Sequence, residues 1–249
     1  MFERLVSRVL ALGLVFSSAC YSTSLLQDTR VLAPGRVRGM VGVGYAPAGA
    51  SNNHFLVEAG ARVGVARRLE LQGKLTNGGS MMGGLKLSLR DDASPFRISL
   101  LTGAQYGSVL LDMRGEGWWA ERKVFGVNLT PVFGFRLHDD VELLIAPDLE
   151  AGFKRGHSFQ NAQMGPVQPG YQDPWFGLGA RGAVALHVGT HVTFIPECSL
   201  LVVVAGPPVR PGEYNDVAHR TRPDDAFVPG DVRGQCGIGI NMGSAYVPH

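Results

Sequence analysis

From residue 36 onward, apolar residues alternate with polar residues or glycine over stretches of about ten, the period of a strand whose successive side chains point to opposite faces. No helical period of useful length follows residue 30. Ten such stretches stand out, at 36–46, 55–65, 69–75, 81–90, 96–107, 124–137, 141–153, 175–188, 192–204 and 232–243. In the second, Val57, Ala59, Ala61, Val63 and Val65 share a face opposed to Glu58 and Arg62. In the third, Leu69, Leu71 and Leu75 oppose Glu70, Gln72 and Lys74. The division continues with Leu85, Leu87 and Leu89 against Lys86, Ser88 and Arg90, and with Phe96, Ile98 and Leu100 against Arg97 and Ser99. Further on, Val141, Leu143, Ile145, Leu149 and Phe153 oppose Glu142, Asp148 and Glu150, and Leu178, Val184 and Leu186 oppose Arg181 and His187. No stretch carries a charge on its apolar face.

Short and long connections alternate. Residues 66–68, 91–95, 138–140 and 189–191 are tight turns, whereas 47–54, 108–123, 154–174 and 205–231 are longer, with 76–80 the one brief member of that second set. Antiparallel hairpins put alternate connections at opposite ends, so the tight turns share one rim and the long loops the other. Pro131, Pro147 and Pro196 fall inside predicted strands. Each lacks a ladder donor, so bulges or bends are expected there.

Alternation alone fits a soluble barrel or sandwich as well as a membrane barrel. The aromatics on the apolar faces separate the two. Tyr45, Phe55, Tyr106, Phe125, Phe153 and Phe176 lie toward the long-loop rim, and Phe96, Phe133, Phe135 and Phe194 toward the tight-turn rim. Two aromatic girdles flanking an aliphatic band are expected where rings sit at lipid headgroup level. An open sheet edge in lipid leaves backbone groups unpaired, so the sheet must close. The expected fold is all-β, a single antiparallel up-and-down transmembrane barrel of about ten strands occupying residues 36–249. In these features the chain resembles the small outer-membrane β-barrel proteins over roughly residues 36–243, as architecture rather than as a motif. The resemblance implies outer-membrane lipid and the barrel-assembly machinery as partners, and a monomer. Such chains often end on an aromatic residue that the assembly machinery reads, whereas this one ends Tyr246-Val247-Pro248-His249.

Residues 1–19 read as a secretory signal, with Arg4 and Arg8 before an apolar run at 9–16 and the small residues Ser17-Ser18-Ala19 at the exit. Cys20 then resembles the cysteine of a bacterial lipobox, which is lipidated after cleavage; Ser17 stands where that family usually has Leu, and the alternative is an ordinary signal-peptidase site that also leaves Cys20 first. Tyr21, where an Asp usually retains such lipoproteins in the inner membrane, implies the outer membrane. Residues 20–35 are expected to form a periplasmic segment ahead of the barrel.

Composition narrows the function. The 34 glycines among 249 residues are about twice the ordinary share, and 23 basic against 21 acidic residues give a net charge of +2. That balance argues against a nucleic-acid partner. Gly177-Leu178-Gly179-Ala180-Arg181-Gly182 matches the dinucleotide fingerprint, but a strand pattern follows where the motif needs a helix. His187 and His191 straddle a turn with no further ligands nearby, and the stretch around His157 falls short of a nucleophile elbow. No cofactor, metal or catalytic set is predicted. Cys198 and Cys236 lie in the last two strands on the apolar face, either as a cross-strand disulfide permitted by an oxidising compartment or as two reduced, lipid-facing residues.

The largest polar constellation is the inward charge set, including Arg62, Glu70, Lys86, Arg97, Arg136, Asp148, Glu150, Arg181 and Glu197. A barrel this narrow can be filled by side chains, so these residues are expected to plug the lumen, with a narrow solute path as the alternative. The long loops carry Trp118, Trp119, His157, Asp173 and His219, where an extracellular ligand would bind. The reading is therefore a structural or loop-binding barrel. Its rivals are an outer-rim enzyme acting on lipid or peptide, and a soluble periplasmic lipoprotein.

Overall fold

A computed structural model describes residues 27–47, 53–77, 79–90, 94–113, 118–160, 171–206, 229–230 and 232–244. Ten strands run in order as β1 (Val37–Pro47), β2 (Asn53–Ala66), β3 (Leu69–Thr76), β4 (Met81–Ser88), β5 (Phe96–Met113), β6 (Trp118–His138), β7 (Val141–Gln160), β8 (Tyr171–Val188), β9 (Val192–Ala205) and β10 (Val232–Gly243). Each pairs antiparallel with its chain neighbours, and β10 returns to β1 through a register from Arg38 opposite Gly243 to Tyr45 opposite Cys236. The sheet is thereby a closed barrel without an edge.

The distribution of side chains is inverted relative to a soluble protein. Phe55 and Leu75 on the outer wall are each 61% exposed, whereas Glu70 and Lys86 inside are 0% exposed. Outward rows of valine, leucine, isoleucine and phenylalanine encircle the barrel. Both predicted aromatic sets lie on this outer face, with Phe96 at 5.0 Å from Phe135 and stacked on Phe133 at 6.3 Å between ring centroids.

The strands are unequal in height. β3 and β4 have 8 residues each, whereas β5, β6, β7 and β8 have 18, 21, 20 and 18. A spanning strand needs only about 9–11 residues. The predicted loops 108–123 and 154–174 are therefore largely corrected to ladder, with Ser108 opposite Lys123 through Met113 opposite Trp118 and Lys154 opposite Asp173 through Gly156 opposite Tyr171. Beyond the apolar band no face must be uniformly apolar, so the alternation fades while the hydrogen bonding continues.

The three prolines also sit differently from expectation. Pairing of β6 with β7 passes from Leu129 opposite Leu149 to Phe133 opposite Ile145, skipping the positions where Pro131 and Pro147 face one another. Pairing of β8 with β9 likewise passes from Ala183 opposite Glu197 to Leu186 opposite Phe194, skipping Pro196. No register shift occurs at any of the three; the shifts fall at Gly64/Ala66, Arg136/His138 and Phe176/Gly177. Each proline places its missing N–H where the ladder is interrupted in register.

Candidate functional site

The most elaborate constellation lies inside the barrel near the tight-turn rim, and part of it comes from outside the strands. Residues 27–32, expected in the periplasm, cross the lumen as a strap, with Asp28 and Leu32 0% exposed. Asp28 stands 3.4 Å from Arg62 and 3.8 Å from Lys86, and Glu70 stands 3.5 Å and 3.9 Å from the same two cations. Lys86 Nζ also donates to the carbonyls of Asp28 and Arg30, and the Leu32 amide donates to Glu70 at 3.0 Å. The Thr29 hydroxyl donates to Glu142, whose carboxylate lies 3.6 Å from Arg97. One short strap thus joins β2, β3 and β4 to β7 across the interior.

Two glycines make room for it. A Cβ on Gly64 would lie 2.2 Å from the Ala33 carbonyl oxygen, and one on Gly134 would lie 2.6 Å from the Thr29 methyl. Gly64 also binds the strap by its backbone, accepting from the Gly35 amide at 2.8 Å and donating to Arg36 at 3.0 Å. Burial alone would raise the pKa of Asp28. Arg62 and Lys86, with smaller contributions from His187 and Arg30, reverse this and hold the carboxyl well below its ordinary value of 3.8.

A second layer lies farther along the axis. Arg181 donates to Asp148 and, at 3.1 Å, to Glu150, while the Thr130 hydroxyl donates to Asp148. Lys74 pairs with Glu58 at 3.2 Å. Between the layers Leu101, Val132, Leu144, Ala146, Ala183, Ala185 and Ile195 form a buried apolar cluster facing the lumen, and Val124, Trp175, Leu201 and Val203 form another nearer the long hairpins. The lumen is packed in alternating charged and apolar layers rather than lined by charge alone. Arg136 lies opposite Glu142 in the β6–β7 ladder, and Glu197 is buried on the inner side of β9.

Arg62, Glu70 and Lys86 form one cluster, Arg97 and Glu142 a neighbouring pair, and Asp148, Glu150 and Arg181 another cluster. Trp118, Trp119, His157 and Asp173 belong to strands rather than loops, and Asp173 is buried. Cys20, His219 and the segment 1–19 lie outside the described residues. Cys198 and Cys236 face one another across β9 and β10 on the outer wall and are joined by a disulfide, which removes the reduced alternative. The glycine-rich stretch at 177–182 lies within β8, where a Cβ on Gly179 would come within 2.8 Å of the Leu200 carbonyl oxygen. His187 bonds Thr193 at 3.0 Å inside, while His191 reaches the Gly243 carbonyl at 2.8 Å on the rim, so the two do not converge. Among the described residues no group of three or more potential ligands is placed to hold a metal ion.

The strap and the apolar lumen clusters escaped the sequence reading. The strap did leave one trace, since Arg38, Arg62, Lys86 and Arg97 outnumber Glu70 and Glu142 in the lower lumen, a deficit of acid that Asp28 helps fill. The apolar clusters come from runs such as Leu143-Leu144-Ile145-Ala146, where both faces are apolar and the two-residue period vanishes.

A closed antiparallel ladder that is apolar outside and charged within defines a transmembrane β-barrel. No protein-family profile matches the chain, and no curated protein sequence does. Among solved structures, the outer membrane protease OmpT from Escherichia coli is similar at 10% identity and TM-score 0.49, covering 87% of this chain and 100% of that one. Neisserial surface protein A is similar at 10% identity and TM-score 0.39, covering 83% and 95%. The attachment invasion locus protein Ail of Yersinia pestis is similar at 9% identity and TM-score 0.33, covering 85% and 99%. The chain's own strand pairing and side-chain distribution define its fold.

Proposed function

We propose that this chain is an integral outer-membrane β-barrel protein, exported by residues 1–19 and lipidated at Cys20, with a structural or ligand-binding role and no catalytic one. The observation that carries this reading is the inversion of the wall, in which outward leucines and phenylalanines stay exposed while arginines, lysines and carboxylates are buried within. In water such a surface exceeds by far the apolar patches soluble monomers expose; in lipid it is satisfied. The lumen's charges hold one another and the strap, which supports a filled barrel over a solute path.

On this reading the tight turns face the periplasm and β5–β8 rise on the extracellular side. Trp118, Trp119, His157 and His219 are the proposed contacts for an extracellular ligand, whereas Asp173 is buried in β8. Outer-membrane fractionation combined with a heat-modifiability gel tests the proposal. A detergent-requiring band whose mobility changes on boiling is expected, because a closed barrel resists SDS until heated. Release of the Cys20→Ser protein in soluble, detergent-free form would overturn it.

A further inference from the structure

The exposed charges on the tight-turn rim are unevenly placed. On the arc formed by the feet of β1–β5, Arg36, Arg67, Arg68 and Arg90 are all exposed. The β6–β7 turn carries His138, Asp139 and Asp140 instead, and the β8–β9 turn Gly189, Thr190 and His191. Backbone contacts tie their positions to this one stretch of the rim. Arg36 accepts from the Gly64 amide two residues before the Ala66-Arg67-Arg68 turn, and the Arg68 carbonyl accepts from the Ser88 amide at 2.9 Å. The Ser88 hydroxyl donates to the Arg90 carbonyl at 2.8 Å, and the Arg90 guanidinium lies 5.6 Å from the Phe96 ring centre. Directly above this arc the outer wall is apolar, with Val65, Leu71, Leu87 and Leu89 all exposed.

We infer that this arc binds the headgroups of anionic phospholipids in the periplasmic leaflet. The inference rests on the reading of the chain as an outer-membrane barrel with its tight turns in the periplasm. Phe96 belongs to the girdle that marks the edge of the apolar band, so the guanidinium stacked on it sits at headgroup depth. Arginine matches a phosphate with two parallel hydrogen bonds, which lysine does not. An acyl chain lying against Leu87 and Leu89 places its phosphate beside Arg68 and Arg90. In sequence, the four arginines at positions 36, 67, 68 and 90 outnumber the two aspartates, Asp91 and Asp92, that follow Arg90.

The test reconstitutes the full chain into vesicles of phosphatidylethanolamine, alone or mixed with phosphatidylglycerol, and measures the temperature at which heat-modifiability is lost. Phosphatidylglycerol is expected to raise that temperature by on the order of 5 °C. The rise should vanish in the R67Q/R68Q/R90Q variant and persist in D139N/D140N. It should also shrink when salt is raised from about 0.1 to about 1 M, which shortens the screening length from about 10 to about 3 Å. An equal rise in the arginine variant, or none in the parent, overturns the inference. Failure of the parent to insert into either vesicle would instead overturn the outer-membrane reading on which it rests.

Discussion

Asp28 lies among cations drawn from β2 and β4, far from it in sequence, and its place in the lumen depends on them. A buried ion pair adds little net stability when complete, but removing one partner leaves an uncompensated charge that costs about 3–5 kcal/mol. Asp28→Ala, which removes one of the carboxylates beside Arg62 and Lys86, is expected to lower barrel stability by that order, read as earlier loss of heat-modifiability. Adding Lys86→Met should restore part of the loss. The acid response has a definite sign. Because the folded pKa of Asp28 is depressed, its contribution is fully present above the unfolded value near 3.8 and is lost only as pH falls through the lower folded value. The share of strap docking that Asp28 supplies, read as the difference between parent and Asp28→Asn in the fluorescence of a label attached at position 30 through Arg30→Cys in a C198S/C236S background, should therefore persist through pH 4 and fail only in stronger acid. At this scale the sequence revealed which residues face inward wherever polar and apolar positions alternated. It hid Leu144 and Ala146, because an apolar residue on either side of the wall leaves no alternation to read.

Among elements, the starts of β3, β4, β5, β7, β9 and β10 agree with the alternation, since there the apolar band enforces it. The upper reaches of β5–β8 were not legible, because strand pairing beyond the band makes no demand on side-chain polarity. Nor was the strap, whose burial depends on partners distant in sequence. Cys198 and Cys236, 38 residues apart and directly opposite in the β9–β10 ladder, close a long connection. In the chain-entropy account such a crosslink contributes about 4 kcal/mol. The boiled protein should migrate faster on a non-reducing gel than on a reducing one. Cys198→Ser should abolish that difference and lower the unfolding temperature in detergent.

For the whole molecule, the relevant quantity is the number of barriers along the barrel axis. The strap and its ion pairs form one, the apolar cluster around Leu144 and Ile195 a second, the Arg181 cluster a third, and the group around Trp175 a fourth. A planar bilayer containing the full chain is expected to show no steady conductance. Deleting residues 27–32 should lower stability while leaving conductance at baseline, because on the proposed reading the remaining layers fill the bore. Steady channels in the parent would show that these layers do not seal it.

The interrupted ladders at Pro131, Pro147 and Pro196 have a mechanical consequence. They lie on both flanks of β7–β8, whose own pairing runs without a break from Val141 opposite Leu186 to Gly156 opposite Tyr171. That hairpin is a stiff panel hung between two perforated seams. Because it also carries Glu142, Asp148, Glu150 and Arg181, stress on the wall concentrates where the panel's side chains grip the filling, so the barrel's stiffness depends on its contents as well as on its hydrogen bonds.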